Sequence, residues 1–173
     1  HREIPAFIDQ LRSLVPLRMV PGNHDTGIEQ FFDTGELLAK EGAVIDGTGY
    51  VHGHMYPDVS LAGRLIIAGH HHPMVCVRDE VGCALRSPAY LFALLNEECL
   101  GFPPDEERKE RSRVMLMPSF NELTGYDLLR TVKEPFSPLS RCMRSGEAEV
   151  LLPDGTFLGP VTALEEHGPD RES

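Results

Sequence analysis

The chain opens with apolar positions at Ile4, Phe7, Ile8, Leu11 and Leu14. They form one stripe at helical spacing, which predicts an amphipathic helix packed on a sheet. Past Leu14 the period shortens. Val15-Pro16-Leu17-Arg18-Met19-Val20 reads as a strand, with Pro16 tolerated at its start or on an edge, and Pro21-Gly22 as the turn that ends it. Ile28, Phe31 and Phe32 start a helical pattern that Gly35 weakens and Gly42 stops. Ala43 to Val51 holds two β-capable runs across a Gly47-containing turn, a hairpin pattern. Residues 56–64 read as a short helix or loop leading into the apolar run Leu65 to Ala68, a buried strand.

Further along, Met74 to Arg78 and Cys83 to Arg86 predict two strands around the turn Asp79-Glu80-Val81-Gly82. Tyr90 to Leu95 fits a strand or a short helix, because a brief apolar run does not decide between them. Val114 to Met117 is a strand, and residues 149–152 and 156–158 pair around Asp154-Gly155 as a second hairpin. Residues 128–146, interrupted by Pro135 and Pro138, carry no clear period. Residues 1–164 are expected to form a single domain and 165–173 a flexible tail.

Three of the short runs end alike. Val15–Val20 leads to Asn23-His24-Asp25, Gly49-Tyr50-Val51 leads to His52-Gly53-His54, and Leu65–Ala68 leads to Gly69-His70-His71-His72-Pro73. Polar turns at strand ends are where ligands bind in α/β folds, so these turns are expected to converge on one metal site. If the backbone stays extended, His70 and His72 point to one side and His71 to the other. Neutral imidazole suits many divalent ions, and Asn23 offers a carbonyl oxygen that does not titrate. His24 and Asp25 could form an acid-base unit, the carboxylate orienting the imidazole. The plainer alternative for that turn is local capping, with Asn23 and Asp25 bonded to their own backbone.

Composition narrows the picture. Hydrophobic residues make up 41% and charged residues 25% of 173, an ordinary balance for a globular chain. No stretch approaches the ~20 apolar residues of a membrane span. The net charge of −11 disfavours a generally polyanion-binding surface. A local basic patch at Arg108, Lys109, Arg111 and Arg113 is largely cancelled by Asp105, Glu106, Glu107 and Glu110. That segment, 103–113, reads as a solvated loop and the place for substrate or partner contacts. Cys76, Cys83, Cys99 and Cys142 lack C-x-x-C spacing and read as buried or free thiols in a reducing cytoplasm.

Taken in order, Gly22-Asn23-His24-Asp25, His52-Gly53-His54 and Gly69-His70-His71-His72-Pro73 resemble the second half of the motif series of calcineurin-like metallophosphoesterases. Met117-Pro118-Ser119-Phe120-Asn121 and Gly125 further resemble the ICC-like subgroup of small archaeal and bacterial phosphoesterases. The resemblance implies an α/β fold, a four-layer αββα sandwich with helices outside two packed mixed sheets. It implies a phosphate-ester substrate, with nucleic acid as a narrower alternative, no membrane, and two divalent ions. Manganese leads among the metals, ahead of iron, zinc, nickel or magnesium. By the same resemblance Asn23, His52 and His70 match ligands of one metal and His72 a ligand of the other. His24 matches the leaving-group acid with Asp25 as its partner, His54 faces substrate or backs the ligands, and His71 fills a variable position. The family's first two motifs, an Asp-x-His turn and a Gly-Asp turn, have no match in residues 1–21. The chain is therefore expected to be N-terminally truncated, with weak metal affinity and little hydrolysis by itself. A nuclease or DNA-repair phosphodiesterase, and a non-catalytic binding domain with an incomplete metal site, are the alternatives.

Overall fold

The computed structural model describes residues 3–78, 84–108, 110–121 and 124–166. It is a mixed α/β protein with a seven-stranded mixed sheet, a three-stranded sheet and few helices. The predicted first helix is present as α1 (Ile4–Leu14). Among the described residues its main packing is not on a sheet. Ile8 alone of its residues is buried, Phe7 and Leu14 are exposed, and α1 lies beside a single 3₁₀ turn, Ile28–Phe31. That turn is all that forms of the helix expected from Ile28 onward, because Phe32 is already extended and Gly35 sits at φ +87°.

Arg12 ties α1 to this loop. Its guanidinium grips Glu36 with two bonds of 2.8 and 2.7 Å and also meets Asp9 and the Phe31 carbonyl, while Glu36 accepts the Asp33 N–H. The Arg12 bond, and then the Asp33 N–H, bring the Glu36 carboxyl down to about 2 from an ordinary 4.5. A depressed carboxyl pKa contributes stability that is complete above about 4.5 and lost as pH falls toward 2. Glu36→Gln is therefore expected to melt below wild type at pH 7, and the gap should close by pH 2. A gap that persists in acid would show that the carboxylate's charge is not what matters.

The segment expected as a first strand is not one. Met19 alone bridges Leu37, its N–H bonded to the Glu36 carbonyl and its carbonyl to the Leu38 N–H, while Pro16 and Pro21 have no N–H to extend the ladder. The bridge still fixes the entry to the Asn23 turn.

The hairpin β1 (Ala43–Ile45) and β2 (Thr48–Val51) forms as expected, with Ile45 opposite Thr48 and both Asp46 and Gly47 at positive φ. β3 (Leu65–Ala68) runs parallel to β2 and buries Ile66 and Ala68. The chain then leaves for the small sheet through β4 (Pro73–Arg78) and β5 (Ala84–Pro88), antiparallel as predicted; their connecting turn lies outside the described residues. β6 (Tyr90–Leu94) returns to the large sheet as a strand, next to β7 (Arg113–Leu116). β8 (Tyr126–Asp127) adds to β4, and α2 (Leu128–Lys133) and α3 (Pro138–Cys142) follow in the stretch without a sequence period. The second hairpin is β9 (Glu149–Leu151) with β10 (Phe157–Pro160), before α4 (Val161–Glu166). The expected tail from 165 begins within α4, and 167–173 lie outside the described residues. The large sheet runs β1-β2-β3-β7-β6-β9-β10, and its core joins Leu61, Ile66, Leu91, Leu116 and Val150 to Leu128 and Leu139 of the helices.

One expectation fails here. Cys99 and Cys142 form a disulfide across 43 residues of sequence, so they are not free thiols; Cys76 is free and exposed, and Cys83 lies outside the described residues. Spacing could not show this, because the partners meet only once α3 folds against the turn after β6. The 103–113 loop is solvated as expected, with residues 103–107, 110, 111 and 113 exposed, but it is anchored to its neighbours. Arg108 pairs with Glu97 at 2.6 Å, and Ser112, fully buried, bonds Glu97 and the Gly63 N–H. The loop therefore sits at the start of β3, the opposite end from the histidines. No helix among the described residues is long and apolar enough to cross a membrane.

Candidate metal centre

Parallel pairing of β2 and β3 places Val51 beside Ala68, so both strands end at the same edge. His52 and His54 follow the first strand there, and His70 follows the second. The rings meet: centroids are 5.0 Å apart for His52 and His70, 5.1 Å for His52 and His54, and 6.0 Å for His54 and His70. Asn23 arrives from a third segment, its Oδ1 3.0 Å from His52 Nε2. The three turns converge, as the sequence pattern predicts.

The triple-histidine turn is the passage between the two sheets. Its backbone is not extended, since His70 and His72 adopt φ of +63° and +45°. Left-handed conformations of non-glycine residues cost of order 1–3 kcal/mol and persist where the surroundings impose them. Two neighbours do so here. The Met117 N–H bonds the Ala68 carbonyl before the turn, and the Tyr126 N–H bonds the His72 carbonyl after it. Met117 and Tyr126 therefore bracket the turn, and Phe120, singled out in the sequence, is fully exposed.

His71 points away into the core, fully buried. Its Nδ1 lies 3.0 Å from the Gly69 carbonyl, which can only accept, so Nδ1 carries the proton. Nε2 then accepts the Ser137 hydroxyl at 2.6 Å. This histidine fastens the turn and does not face the site. Ser137 has no place among the residues expected to matter, although Ser137-Pro138 with Ser140 three residues on is a capping-box pattern, and α3 carries that box.

Asp25 Oδ2 accepts the Gly22 N–H at 2.6 Å, which is local capping; among the described residues it makes no bond to His24, which is exposed. Gly22 has no room for a side chain. A Cβ there would lie 2.8 Å from His52 Cε1 and 3.0 Å from Asp25 Oδ2. Gly22→Ala is expected to push the His52 ring off Asn23 without unfolding the chain, read as displaced His52 ring resonances by NMR against an unchanged circular dichroism spectrum. Unmoved His52 signals would contradict this packing.

The electrostatics favour lone pairs over positive charge. Burial, then His52 and His54, bring His70 down to about 4; burial brings His71 to about 4 against the Gly69 carbonyl. Burial also lowers His52, His54 and His72. At neutral pH the cluster is uncharged and ready to donate.

Its fit to a divalent ion rests on two observations. The first is contact: Asn23 Oδ1 and His52 Nε2 lie 3.0 Å apart, a hydrogen bond in which the amide oxygen accepts the ring N–H and which holds two candidate ligands against each other. His54 Nδ1 and His72 Nδ1 are buried with no hydrogen-bond partner among the described residues, which polar nitrogens seldom tolerate. Yet no three His, Cys, Asp or Glu side chains among the described residues are placed to hold an ion by themselves. The donors fit a metal as an incomplete set that leans on Asn23.

No protein-family model and no curated protein matches the chain. Among solved structures, the nuclease MPE of Pseudomonas putida is similar, with 16% identity and a TM-score of 0.47, covering 87% of this chain and 56% of that one. The chain thus spans just over half the length of that nuclease. A likeness at this level leaves function to be argued from the site.

Proposed function

We propose that this chain contributes to a metal-dependent phosphoesterase site that hydrolyses phosphomonoesters or phosphodiesters. What supports the reading is the meeting of Asn23, His52 and His70 from three separate segments. These three would hold one divalent ion and His72 a second, manganese first among the candidates. Bound ions of this kind activate water and stabilise phosphoryl oxygens during in-line displacement. The rest falls to the chain's own groups. His24, exposed next to Asn23, donates a proton to the leaving oxygen; Asp25 holds the turn that presents it. His54 backs the cluster, and His71 keeps the strained turn in register.

The test is hydrolysis of p-nitrophenyl phosphate and bis(p-nitrophenyl) phosphate with added manganese. Slow, manganese-dependent turnover is expected, falling at least about tenfold in Asn23→Ala and His70→Ala. Turnover indifferent to both substitutions would sink the assignment. The incomplete donor set favours a second reading, a binding domain without turnover. Manganese binding with no hydrolysis of either ester would select it. The Cys99–Cys142 bond argues against the cytoplasmic location expected from the sequence.

A further inference from the structure

A cleft of about 420 Å³ opens next to the triple-histidine turn, lined by Tyr126, Arg130, Thr131, Glu134 and Phe136. We propose that this cleft is a nucleobase subsite, holding the planar ring of a nucleotide whose phosphate reaches the histidines. The phosphate's role rests on the phosphoesterase reading above; the ring's does not.

The two aromatic walls are exposed, Tyr126 by 51% and Phe136 by 41%, although large rings are ordinarily covered. They stand 5.6 Å apart with an interplanar angle of 40°. Phe136 also meets the ring of His70 at 5.5 Å and that of His71 at 5.2 Å. A row of π faces therefore runs from the cleft to the candidate metal centre, which makes the two one continuous surface. A ligand that stacks on Tyr126 and Phe136 has its next substituent beside His70. The volume is within the range of small-molecule sites and accommodates a nucleoside.

The polar groups match such a ligand. Arg130 is paired across the surface with Glu134 at 2.9 Å, both side chains about 70% exposed. Exposed pairs of this kind are weak, so either partner exchanges readily for a ligand group. The guanidinium suits a phosphate or a base carbonyl, and the carboxylate suits an exocyclic amine. The net charge of −11 disfavours a broad polyanion footprint, which favours a mononucleotide or a short single strand over a duplex.

The experiment titrates 2-aminopurine riboside 5′-monophosphate with the full chain and follows fluorescence quenching, which reports stacking whether or not hydrolysis occurs. Saturable quenching is expected, with affinity weakened roughly five- to a hundredfold in Tyr126→Ala and in Phe136→Ala. Phe136→Tyr should retain binding. Tyr126→Ala is the decisive variant, because Phe136 also supports His71. AMP should displace the probe far better than ribose 5-phosphate. Absent quenching, undiminished affinity in Tyr126→Ala, or equal displacement by ribose 5-phosphate would each overturn the proposal. If the chromogenic esters are not hydrolysed but quenching depends on Tyr126, the subsite stands and the phosphoesterase reading falls. Hydrolysis without quenching has the opposite meaning: the phosphoesterase reading stands and the subsite falls.

Discussion

Reduction of the Cys99–Cys142 bond, or Cys142→Ser in its place, is expected to lower the unfolding free energy by about 4 kcal/mol. The figure follows from the entropy that a 43-residue closure removes from the unfolded chain. The native state already aligns the two ends: the Asn96 N–H bonds the Cys142 carbonyl and Leu95 bridges Met143. The bond therefore staples a contact that the backbone makes in any case, and its loss leaves the fold intact but weak. The effect extends to the candidate site, because Cys142 ends α3 and Ser137 at the start of α3 holds His71. Urea melts with and without reductant provide the check. A midpoint lower by at least about 1 M in reductant is expected for a chain of this size; superimposed melts would show that the bond carries no stability.

His71→Ala is expected to cost about 3 kcal/mol, more than alanine at His24 or His54. It removes a fully buried ring, takes from the Ser137 hydroxyl the acceptor it donates to, and leaves the Gly69 carbonyl with the residue-71 N–H alone. A buried group left unpaired costs about 1–3 kcal/mol, and the cavity adds to it. His24 is exposed, so its truncation should be nearly neutral for stability. Denaturant melts of His24→Ala, His54→Ala and His71→Ala separate the roles. A stable His71→Ala protein would mean that this histidine does not fasten the turn, and its assignment to the core would fail.

How much of this could be read from the residues varies with the range of the interaction. Local patterns carried well: α1, the β1–β2 hairpin with its turn residues, β3, the β4–β5 pair and the meeting of three His-bearing turns all follow from spacing and turn chemistry. What failed depended on distant partners. The Val15–Val20 run has β-forming residues yet finds only one bridge, since no strand lies along it among the described residues. His71 does point away from its neighbours as expected, but on left-handed backbone at His70 and His72 rather than on the extended backbone assumed, and its buried partner Ser137 lies 66 residues away. Arg108 reads as a solvated cation until Glu97, eleven residues earlier, is found against it. The aromatic wall of Tyr126 and Phe136 had no periodicity to announce it, because the two rings come from either side of a six-residue helix.

The central claim, that Asn23, His52 and His70 share a divalent ion, is tested most directly by manganese titration followed by electron paramagnetic resonance. The free-ion signal should diminish in the presence of the wild-type chain, saturating with weak affinity, and should remain near its protein-free amplitude with His70→Ala and Asn23→Ala. Equal loss of signal with wild type and both variants would place any bound manganese elsewhere and contradict the account.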